Sequence, residues 1–286
     1  MIIYLNGELV ERKDAVVSVF DHGFLYGDGI YETLRAYNGR VFMLDEHIER
    51  LFRSASLIKL HLPLSKEEIS TAVYITLSAN GLKDAYIRIT VSRGMGEIGL
   101  DPDLCPIPTI VIIARELKGY PEELYEKGIK ITIVNVMRNH RDALNPQIKS
   151  LNFLNNILAK IEAKDKGAYE GVMLNIDGHL TEGTITNIFF IKDRRLLTPS
   201  IDAGILDGIT RGIVLKIARE KGMETVEGLF HPEDLYTADE VFITNSTIEI
   251  LPAIVVDNRK IKDGFPGLIT MCLLKIYREV VAESPL

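Results

Sequence analysis

Two stretches near the start of the chain carry apolar residues at the spacing of an amphipathic helix. In the first, over residues 45–60, the apolar positions are Ile48, Leu51, Ala55 and Ile58. The second, over residues 65–80, begins with Ser65 and Glu68, which form the Ser-x-x-Glu pattern of a capping box. These patterns predict two consecutive helices.

Further along, short apolar runs alternate with other helical stretches. The runs are rich in Ile, Val and Phe and predict strands over residues 85–92, 109–114, 129–136, 171–176, 185–192 and 240–244. Helices are predicted over residues 149–166, 208–220 and 267–281. Such alternation of strands and helices is typical of an α/β fold.

The run Glu-Leu-Lys-Gly-Tyr-Pro over residues 116–121 has the composition of a turn between two series of elements. We therefore expect a domain junction near residues 116–124. The sequence predicts a small N-terminal α/β domain over residues 1–118 and a larger C-terminal α/β domain over residues 119–286.

Composition excludes several classes of function. The 286 residues are 47% hydrophobic and 26% charged, which is enough for a sizeable core. The net charge of -7 gives no basic surface for nucleic acid, and no apolar run approaches the roughly 20 residues that span a bilayer. Cys105 and Cys272 lie far apart and outside any metal-binding spacing, as expected for reduced thiols. We expect a cytoplasmic protein that binds small molecules and no metal.

One glycine motif conflicts with its context. Residues 94–99 read Gly-Met-Gly-Glu-Ile-Gly after a predicted strand, which matches the pattern of dinucleotide-binding proteins. Such a site needs a helix directly after the glycines. Here Pro102, Pro106 and Pro108 follow and block a continuous helix. The motif therefore predicts a loop, which we expect to cover the substrate.

Lys149 is the first of three features that together indicate covalent chemistry. It lies in the run Pro-Gln-Ile-Lys-Ser-Leu-Asn-Phe over residues 146–153, at the start of a predicted helix rich in Leu, Ile and Ala. A lysine in such surroundings is poorly solvated, which favours the neutral, nucleophilic amine. A lysine that only snorkels at a helix start would give the same pattern. The other two features decide between these interpretations.

The second feature is an acid, and the third is a site for phosphate. Glu182 stands between a turn and a strongly apolar strand. A glycine-containing turn over residues 204–212 opens a helix, whose start offers backbone N–H groups, a threonine hydroxyl and the positive end of the helix dipole. An amine, an acid and a phosphate site are what pyridoxal phosphate requires.

Five short stretches occur together in a characteristic order and spacing. They are Ser-Val-Phe-Asp-His-Gly-Phe-Leu-Tyr-Gly-Asp-Gly (18–29), Glu-His-Ile-Glu-Arg-Leu (46–51), Lys-Ser-Leu-Asn (149–152), Leu-Thr-Glu-Gly (180–183) and Asp-Gly-Ile-Thr-Arg (207–211). Over nearly its whole length the chain resembles the fold type IV pyridoxal-phosphate enzymes, and most of all the archaeal and bacterial branched-chain amino acid aminotransferases. The resemblance implies a small α/β domain, a larger α/β pseudobarrel domain, and a cofactor held where the two meet.

The resemblance assigns roles at the cofactor. It implies that Lys149 forms the Schiff base with pyridoxal 5′-phosphate and that Glu182 faces the pyridine nitrogen, although a surface acid at a strand end is the alternative for Glu182. Arg50 matches the arginine that binds the cofactor phosphate; an exposed arginine paired with its helical neighbours is the alternative. The other implied contacts are Leu206, Gly208, Ile209, Thr210, Ser246 and Thr247. For the last two, an ordinary turn remains an open alternative.

On the substrate side, the resemblance points mainly to residues of the first domain. They are Tyr26, Tyr31, Thr33, Tyr86 and Arg88, together with Ser246 and Thr247. Tyr86 and Arg88 are two residues apart on a predicted strand, so a phenol and a guanidinium can meet one substrate carboxylate. Ordinary alternation of polar residues on a half-exposed strand would explain the same spacing.

Three positions depart from the branched-chain pattern. Tyr-Glu-Thr over residues 31–33 replaces the usual Phe-Glu-Gly, and Thr33 is similar to the D-amino-acid and amine aminotransferases. The carboxylate-binding Arg-x-His pair of those enzymes is missing, because residues 97–100 read Glu-Ile-Gly-Leu. Phe153 stands where a tyrosine often hydrogen-bonds the 3′-oxygen of the cofactor. The sequence therefore defines the cofactor better than the substrate.

The resemblance implies ping-pong transamination of L-branched-chain amino acids, with 2-oxoglutarate as the acceptor. Lys149, once displaced by the amino acid, would act as general base and acid. The alternatives of the same fold are a D-amino-acid or (R)-amine aminotransferase and an aminodeoxychorismate lyase. A non-enzymatic protein that binds pyridoxal phosphate is disfavoured, because amine, acid and phosphate turn occur together. A homodimer or higher homo-oligomer is also implied.

Overall fold

The computed structural model describes residues 1–283, which form two compact units. The first comprises Met1–Lys118 and Ile148–Asn152, and the second comprises Gly119–Gln147 and residues 153–283. The chain passes from the first unit to the second within the expected junction. However, Ile148–Asn152 belongs with the first unit, whereas the sequence pattern assigned it to the second domain.

The first unit is an antiparallel sheet with helices. Its elements are β1 (Ile2–Leu5), β2 (Glu8–Glu11), α1 (His22–Tyr26), β3 (Gly29–Tyr37), β4 (Arg40–Val41), α2 (Leu44–Leu57), α3 (Lys66–Ala79), β5 (Ala85–Ser92) and β6 (Thr109–Glu116). The six strands lie in the order β2-β1-β6-β5-β3-β4. Two helices and two strands therefore confirm the predictions made from periodicity for this part of the chain, and Ser65 caps α3 in the expected capping box with Glu68.

Strand alternation divides the sheet of the first unit into an apolar face and a polar face. The apolar face packs in the core with α2 and α3 and includes Ile30, Leu34, Ile87, Ile89 and Ile112. On the polar face, Thr33 lies directly opposite Arg88, and Tyr31 lies opposite Thr90. Residues two apart on a strand share a face, so Tyr86 and Arg88 lie on one face, as their spacing predicts.

The segment around Lys149 is extended, which corrects the prediction of a helix over residues 149–166. The backbone N–H of Tyr31 donates to the carbonyl of Lys149 (2.9 Å), and the N–H of Leu151 donates to the carbonyl of Gly29 (2.9 Å). Ser150 forms an antiparallel bridge with Ile30. Because these backbone groups pair with β3, they are not available to a helix. The helix begins only at Leu154.

The second unit contains a larger mixed sheet. Its elements are α4 (Glu122–Lys127), β7 (Ile129–Ile133), α5 (Leu154–Asp165), β8 (Glu170–Leu174), β9 (Leu180–Gly183), β10 (Asn187–Lys192), β11 (Arg195–Pro199), α6 (Ile209–Glu220), β12 (Thr225–Gly228), α7 (Pro232–Tyr236), β13 (Glu240–Asn245), β14 (Glu249–Val256), β15 (Arg259–Lys260) and α8 (Leu268–Glu283). The nine strands follow the order β12-β11-β10-β13-β14-β7-β8-β9, and β15 pairs with β14. Parallel pairs join β11 to β12, β14 to β7 and β7 to β8.

The centre of this sheet explains its continuous apolar runs. Phe189, Phe190 and Phe242 are fully buried, and α6 and α8 pack over β13. Strands buried on both faces need no polar alternation, which is why β10 and β13 appear in the sequence as unbroken apolar runs. The predictions had no separate signal for β11, β12 and β15, which are short. Within residues 1–283, no helix is both long and apolar enough to cross a membrane.

Candidate active site

Lys149 is held by backbone hydrogen bonds on both sides. Its N–H donates to the hydroxyl of Ser54 on α2 (3.2 Å), and its carbonyl accepts from the N–H of Tyr31 on β3 (2.9 Å). Ser54 is fully buried. Two contacts from two different elements therefore fix the backbone from which the lysine side chain extends.

The side chain of Lys149 reaches the ring of Tyr31. Its Nζ lies 4.5 Å from the ring centroid, while the guanidinium carbon of Arg88 lies 4.2 Å from the same centroid. Arg88 also donates from Nε to the hydroxyl of Thr90 (3.1 Å). Cations are attracted to the electron-rich face of an aromatic ring. The first unit therefore places an amine and a guanidinium suited to a carboxylate against one phenol.

The other residues expected at the substrate are distributed along the polar face and its neighbouring loop. Thr33 lies across from Arg88 on β3, and the guanidinium of Arg115 lies 4.7 Å from the ring of Tyr86. The hydroxyl of Tyr26 accepts from the N–H of Gly99 (3.2 Å), so Tyr26 contacts the glycine-rich loop. As expected, residues 100–108, all described by the structure, contain no α-helix and only a 3₁₀ turn over Pro102–Leu104.

Arg50 is not an exposed helix residue. It is buried on α2 and makes two hydrogen bonds to Glu32 on β3, from Nε to Oε1 and from Nη2 to Oε2, both of 2.7 Å. His47, one turn earlier, approaches Oε2 with its Nδ1 at 2.8 Å. The structure thus contradicts the alternative in which Arg50 pairs with helical neighbours on an exposed surface. Sequence reasoning missed Glu32 and His47, although both belong to the quoted motifs.

The charge states in this cluster follow from burial and from the pairing. Burial opposes the ionisation of Glu32, but the charge and hydrogen bonds of Arg50, with His47, hold the pKa of Glu32 well below its usual range. Burial lowers the pKa of His47; the bond to Glu32 opposes this, and the charges of Arg50 and Lys149 add to it. A neutral His47 bonded to a carboxylate must carry its proton on Nδ1, because the ionised carboxylate can only accept.

In the second unit, Glu182 is a buried acid with partners for both oxygens. Arg138 Nη2 lies 2.8 Å from Oε1, and the backbone N–H of Leu206 donates to Oε2 (3.0 Å). This contradicts the alternative that Glu182 is a surface acid. Arg138 was missed in the sequence, because it lies in an irregular segment where periodicity predicts no neighbours. Asn156 on α5 supports the same region by donating to the carbonyl of Thr184 (2.6 Å).

The start of α6 has the features of a phosphate site. Gly208 is the N-cap and supplies no side chain to the first N–H groups of the helix, which therefore remain suited to an anion. A Cβ at Gly208 would lie 1.9 Å from Oδ1 of Asn187, so only glycine fits there. Asn187 also donates to the carbonyl of Leu206 (3.0 Å), which connects the helix start to the contact of Glu182.

The turn containing Ser246 and Thr247 lies at the same end of the sheet. Thr244 pairs with Asn187 across β13 and β10, so the turn that follows β13 is next to the strand end beside α6. Asn245 Oδ1 accepts from the N–H of Thr247 (2.9 Å) and from its hydroxyl (3.0 Å). This is the geometry of an Asx turn, so the fold alone accounts for the turn, and a role for Ser246 and Thr247 at the phosphate stays a prediction.

The donor groups in the two units fit the expected cofactor. The first unit supplies an amine on Lys149 and a buried, oriented arginine. The second supplies a carboxylate with fixed orientation and a helix start without a side-chain cap. These groups suit the aldehyde, the phosphate and the ring nitrogen of pyridoxal phosphate. The donor for the 3′-oxygen that is lost at Phe153 has no replacement among the residues singled out from the sequence.

Comparison with known proteins reveals relatives over nearly the whole chain. A putative branched-chain-amino-acid aminotransferase from Methanocaldococcus jannaschii is 49% identical over 280 residues, covering 98% of this chain and 96% of that protein. An aminodeoxychorismate lyase from Bacillus subtilis is 40% identical over 253 residues, covering 88% and 85%. A D-alanine aminotransferase from Listeria monocytogenes is 37% identical over 287 residues, covering 99% and 97%.

Solved structures and a family model agree with these relatives. The branched-chain amino acid aminotransferase of Escherichia coli has a TM-score of 0.95 at 31% identity, covering 99% of this chain and 96% of that one. The enzyme of the same name from T.th., solved with pyridoxamine 5′-phosphate, also has a TM-score of 0.95 at 31% identity, covering 99% and 95%. The model of the family Amino-transferase class IV matches residues 29–255. The chain therefore belongs to the class IV aminotransferase family, with the fold type IV architecture and pyridoxal phosphate as its cofactor.

Proposed function

We propose that this protein is a pyridoxal-phosphate-dependent aminotransferase that transfers the amino group of L-leucine, L-isoleucine or L-valine to 2-oxoglutarate. One observation carries the assignment: Lys149 Nζ and the Arg88 guanidinium lie against the same Tyr31 ring. A nucleophilic amine next to a cation that suits a carboxylate is what an α-amino acid requires. The names of the relative at 49% identity and of the two solved structures support the branched-chain substrates.

The chemistry that the cofactor supplies when bound is withdrawal of electrons from the Cα of the amino acid. Lys149 Nζ holds the cofactor covalently until the substrate arrives, and then takes the proton from Cα and returns it on the product side. Glu182 balances the positive charge of the pyridine ring. Its orientation is fixed by Arg138 and by the N–H of Leu206.

In this proposal the phosphate and the substrate are bound by the residues that the family resemblance indicates. The phosphate contacts are Arg50, Leu206, Gly208, Ile209, Thr210, Ser246 and Thr247. The substrate contacts are Tyr26, Tyr31, Thr33, Tyr86 and Arg88, together with Ser246 and Thr247. The buried guanidinium of Arg50 and the start of α6 support the first set. The common polar face of β3 and β5 supports the second.

A second function is favoured by Thr33. This residue lies directly opposite Arg88, where its side chain narrows the space beside the guanidinium compared with the glycine usual in branched-chain enzymes. A D-amino-acid aminotransferase is therefore the rival, and a relative at 37% identity carries the name D-alanine aminotransferase. Aminodeoxychorismate lyase, the name of the relative at 40% identity, is the other rival. It would release pyruvate without needing an amino acceptor.

Self-association of this cytoplasmic enzyme is also part of the proposal. Helix α5 carries four apolar residues at helical spacing that are between 47% and 68% exposed: Leu154, Ile157, Leu158 and Ile161. An uncovered apolar stripe of this kind marks a contact with another chain. We expect light scattering to give the mass of at least two chains. The double variant Ile157→Lys, Ile161→Lys should shift the mass to a single chain; an unchanged mass would place the interface elsewhere.

Lys149 should carry the cofactor covalently. The purified protein, after incubation with pyridoxal phosphate, should be yellow, and borohydride reduction followed by mass spectrometry should find the label on Lys149. Lys149→Ala should abolish turnover, whereas Lys160→Ala, at an exposed lysine of α5, should leave it intact. A colourless protein under these conditions, or a label on another lysine, would contradict the assignment of Lys149.

Glu182→Gln should slow the chemical step by ~100-fold, the typical loss when a preorganised electrostatic partner is removed. Cofactor affinity should change much less, because phosphate and amine contacts remain. Single-turnover kinetics with L-leucine measures the step. The matched control is Asp257→Asn, which alters a carboxylate bonded to Thr132, Ile133 and Tyr236. Near-wild-type rates for Glu182→Gln would mean that another acid faces the ring.

Substrate choice is tested with a panel of L- and D-amino acids, assayed with and without 2-oxoglutarate. We expect turnover of the L-branched-chain substrates only when the acceptor is present. Preference for D-alanine would support the D-amino-acid rival instead. Pyruvate released from aminodeoxychorismate without an acceptor would support the lyase.

The same assay tests the role of Arg88. Arg88→Ala should lower kcat/KM for L-leucine by roughly tenfold to a hundredfold, the range expected for loss of a charge-assisted contact. A primary amine without a carboxylate is the internal control, because it has no such contact to lose. Equal losses for both substrates would mean that Arg88 supports the sheet rather than binding the substrate.

A further inference from the structure

Glu32 is a charged residue in a position that strand alternation reserves for the core. Its neighbours two residues away on β3, Ile30 and Leu34, belong to the apolar face, and Glu32 itself is 0% exposed. A buried carboxylate is costly unless its charge and lone pairs are satisfied. Some property of this chain therefore depends on a carboxylate at that position.

The two residues that satisfy Glu32 both lie on α2. Arg50 makes two parallel hydrogen bonds to Glu32, and His47 makes a third. The guanidinium is planar, so two parallel bonds along one edge determine its orientation. By bonding to Nε and Nη2, Glu32 sets both the plane of the Arg50 guanidinium and the direction in which the rest of that group extends.

A second pair in the same unit provides an internal reference. Arg93 is buried and bonds to both oxygens of Asp28, and it also donates to the carbonyls of Ile58 (2.9 Å) and Lys59 (3.3 Å). These contacts tie the start of β3 to the backbone that follows α2. Neither Asp28 nor Arg93 is among the residues assigned to the cofactor or the substrate, so the pair resembles Glu32–Arg50 in geometry but not in its proposed role.

We propose that Glu32, supported by His47, is a positioning residue that orients Arg50 to bind the phosphate of the cofactor. This inference rests on the proposed function, in which Arg50 holds that phosphate. His47 suits the task because it donates a hydrogen bond to Glu32 while neutral. A protonated His47 would add a positive charge beside Arg50 and Lys149, whose charges already lower the pKa of His47.

Positioning and simple electrostatics predict opposite effects. If Glu32 acted only through its charge, it would repel a phosphate, and removing the charge would strengthen phosphate binding. If Glu32 orients Arg50, removing it leaves the guanidinium in several rotamers and weakens phosphate binding. The sign of the change therefore separates the two roles.

The experiment compares the affinity of the cofactor-free protein for pyridoxal 5′-phosphate with that for pyridoxal, which lacks the phosphate. The ratio of the two association constants measures the phosphate contribution alone. For Glu32→Gln we expect this ratio to fall by roughly tenfold to a hundredfold, the range for loss of a charge-assisted contact. Affinity for pyridoxal itself should change little.

Asp28→Asn is the matched control. It breaks the other buried pair and should lower the melting temperature as Glu32→Gln does, while leaving the ratio within about twofold of wild type. A general loosening of the fold would lower the ratio in both variants. An equal fall in both, or an unchanged or increased ratio in Glu32→Gln, would overturn the inference.

Arg50→Ala distinguishes the inference from the proposal on which it rests. We expect Arg50→Ala to lower the ratio, and Glu32→Gln to have no further effect when Arg50 is absent. An unchanged ratio in Arg50→Ala would mean that Arg50 does not hold the phosphate, and both would fail. A fall in Arg50→Ala without one in Glu32→Gln would overturn only the positioning role of Glu32.

His47 provides a second test that does not remove the buried charge. His47→Gln keeps a donor for Glu32 and should retain the ratio, whereas His47→Phe removes the donor and should lower it. If Glu32→Gln does not fold, this pair decides the question. Equal ratios for the two variants would then overturn the inference.

Discussion

The pairing of residues 148–152 with β3 is the constraint on which the rest of the site depends. It ties Lys149 to the first unit through the N–H of Tyr31, and α2 adds the hydroxyl of Ser54. The chain on either side of this segment belongs to the second unit, so these bonds hold the lysine with the sheet of the first. An amine that must reach one aldehyde carbon requires this kind of fixed backbone.

Each charge that we assign to the cofactor has a partner within its own unit. Arg50 is held by Glu32, which His47 also contacts, and Glu182 is held by Arg138 and the N–H of Leu206. Buried charges are tolerated only with such partners, and the same partners fix their orientation. The residues that stabilise the fold locally are therefore also those that prepare the site.

Substrate preference depends on a different part of the molecule, the polar face of β3 and β5. Class IV relatives with three different names lie between 37% and 49% identity to this chain. They share a family, so their differences in chemistry must arise from a few side chains. Thr33 beside Arg88, and Phe153 in place of a tyrosine, are positions where this chain departs from the branched-chain pattern.

The sequence by itself determined the features that depend on neighbours a few residues apart. These include the capped helix α3, strand β5, the common face of Tyr86 and Arg88, and the start of α6 at Gly208. Only the tertiary structure decided that residues 148–152 are extended, that Glu32 pairs with Arg50, and that Arg138 meets Glu182. These partners are far apart in the chain, and the pairing of strands and helices brings them together. Local periodicity carries no information about that pairing.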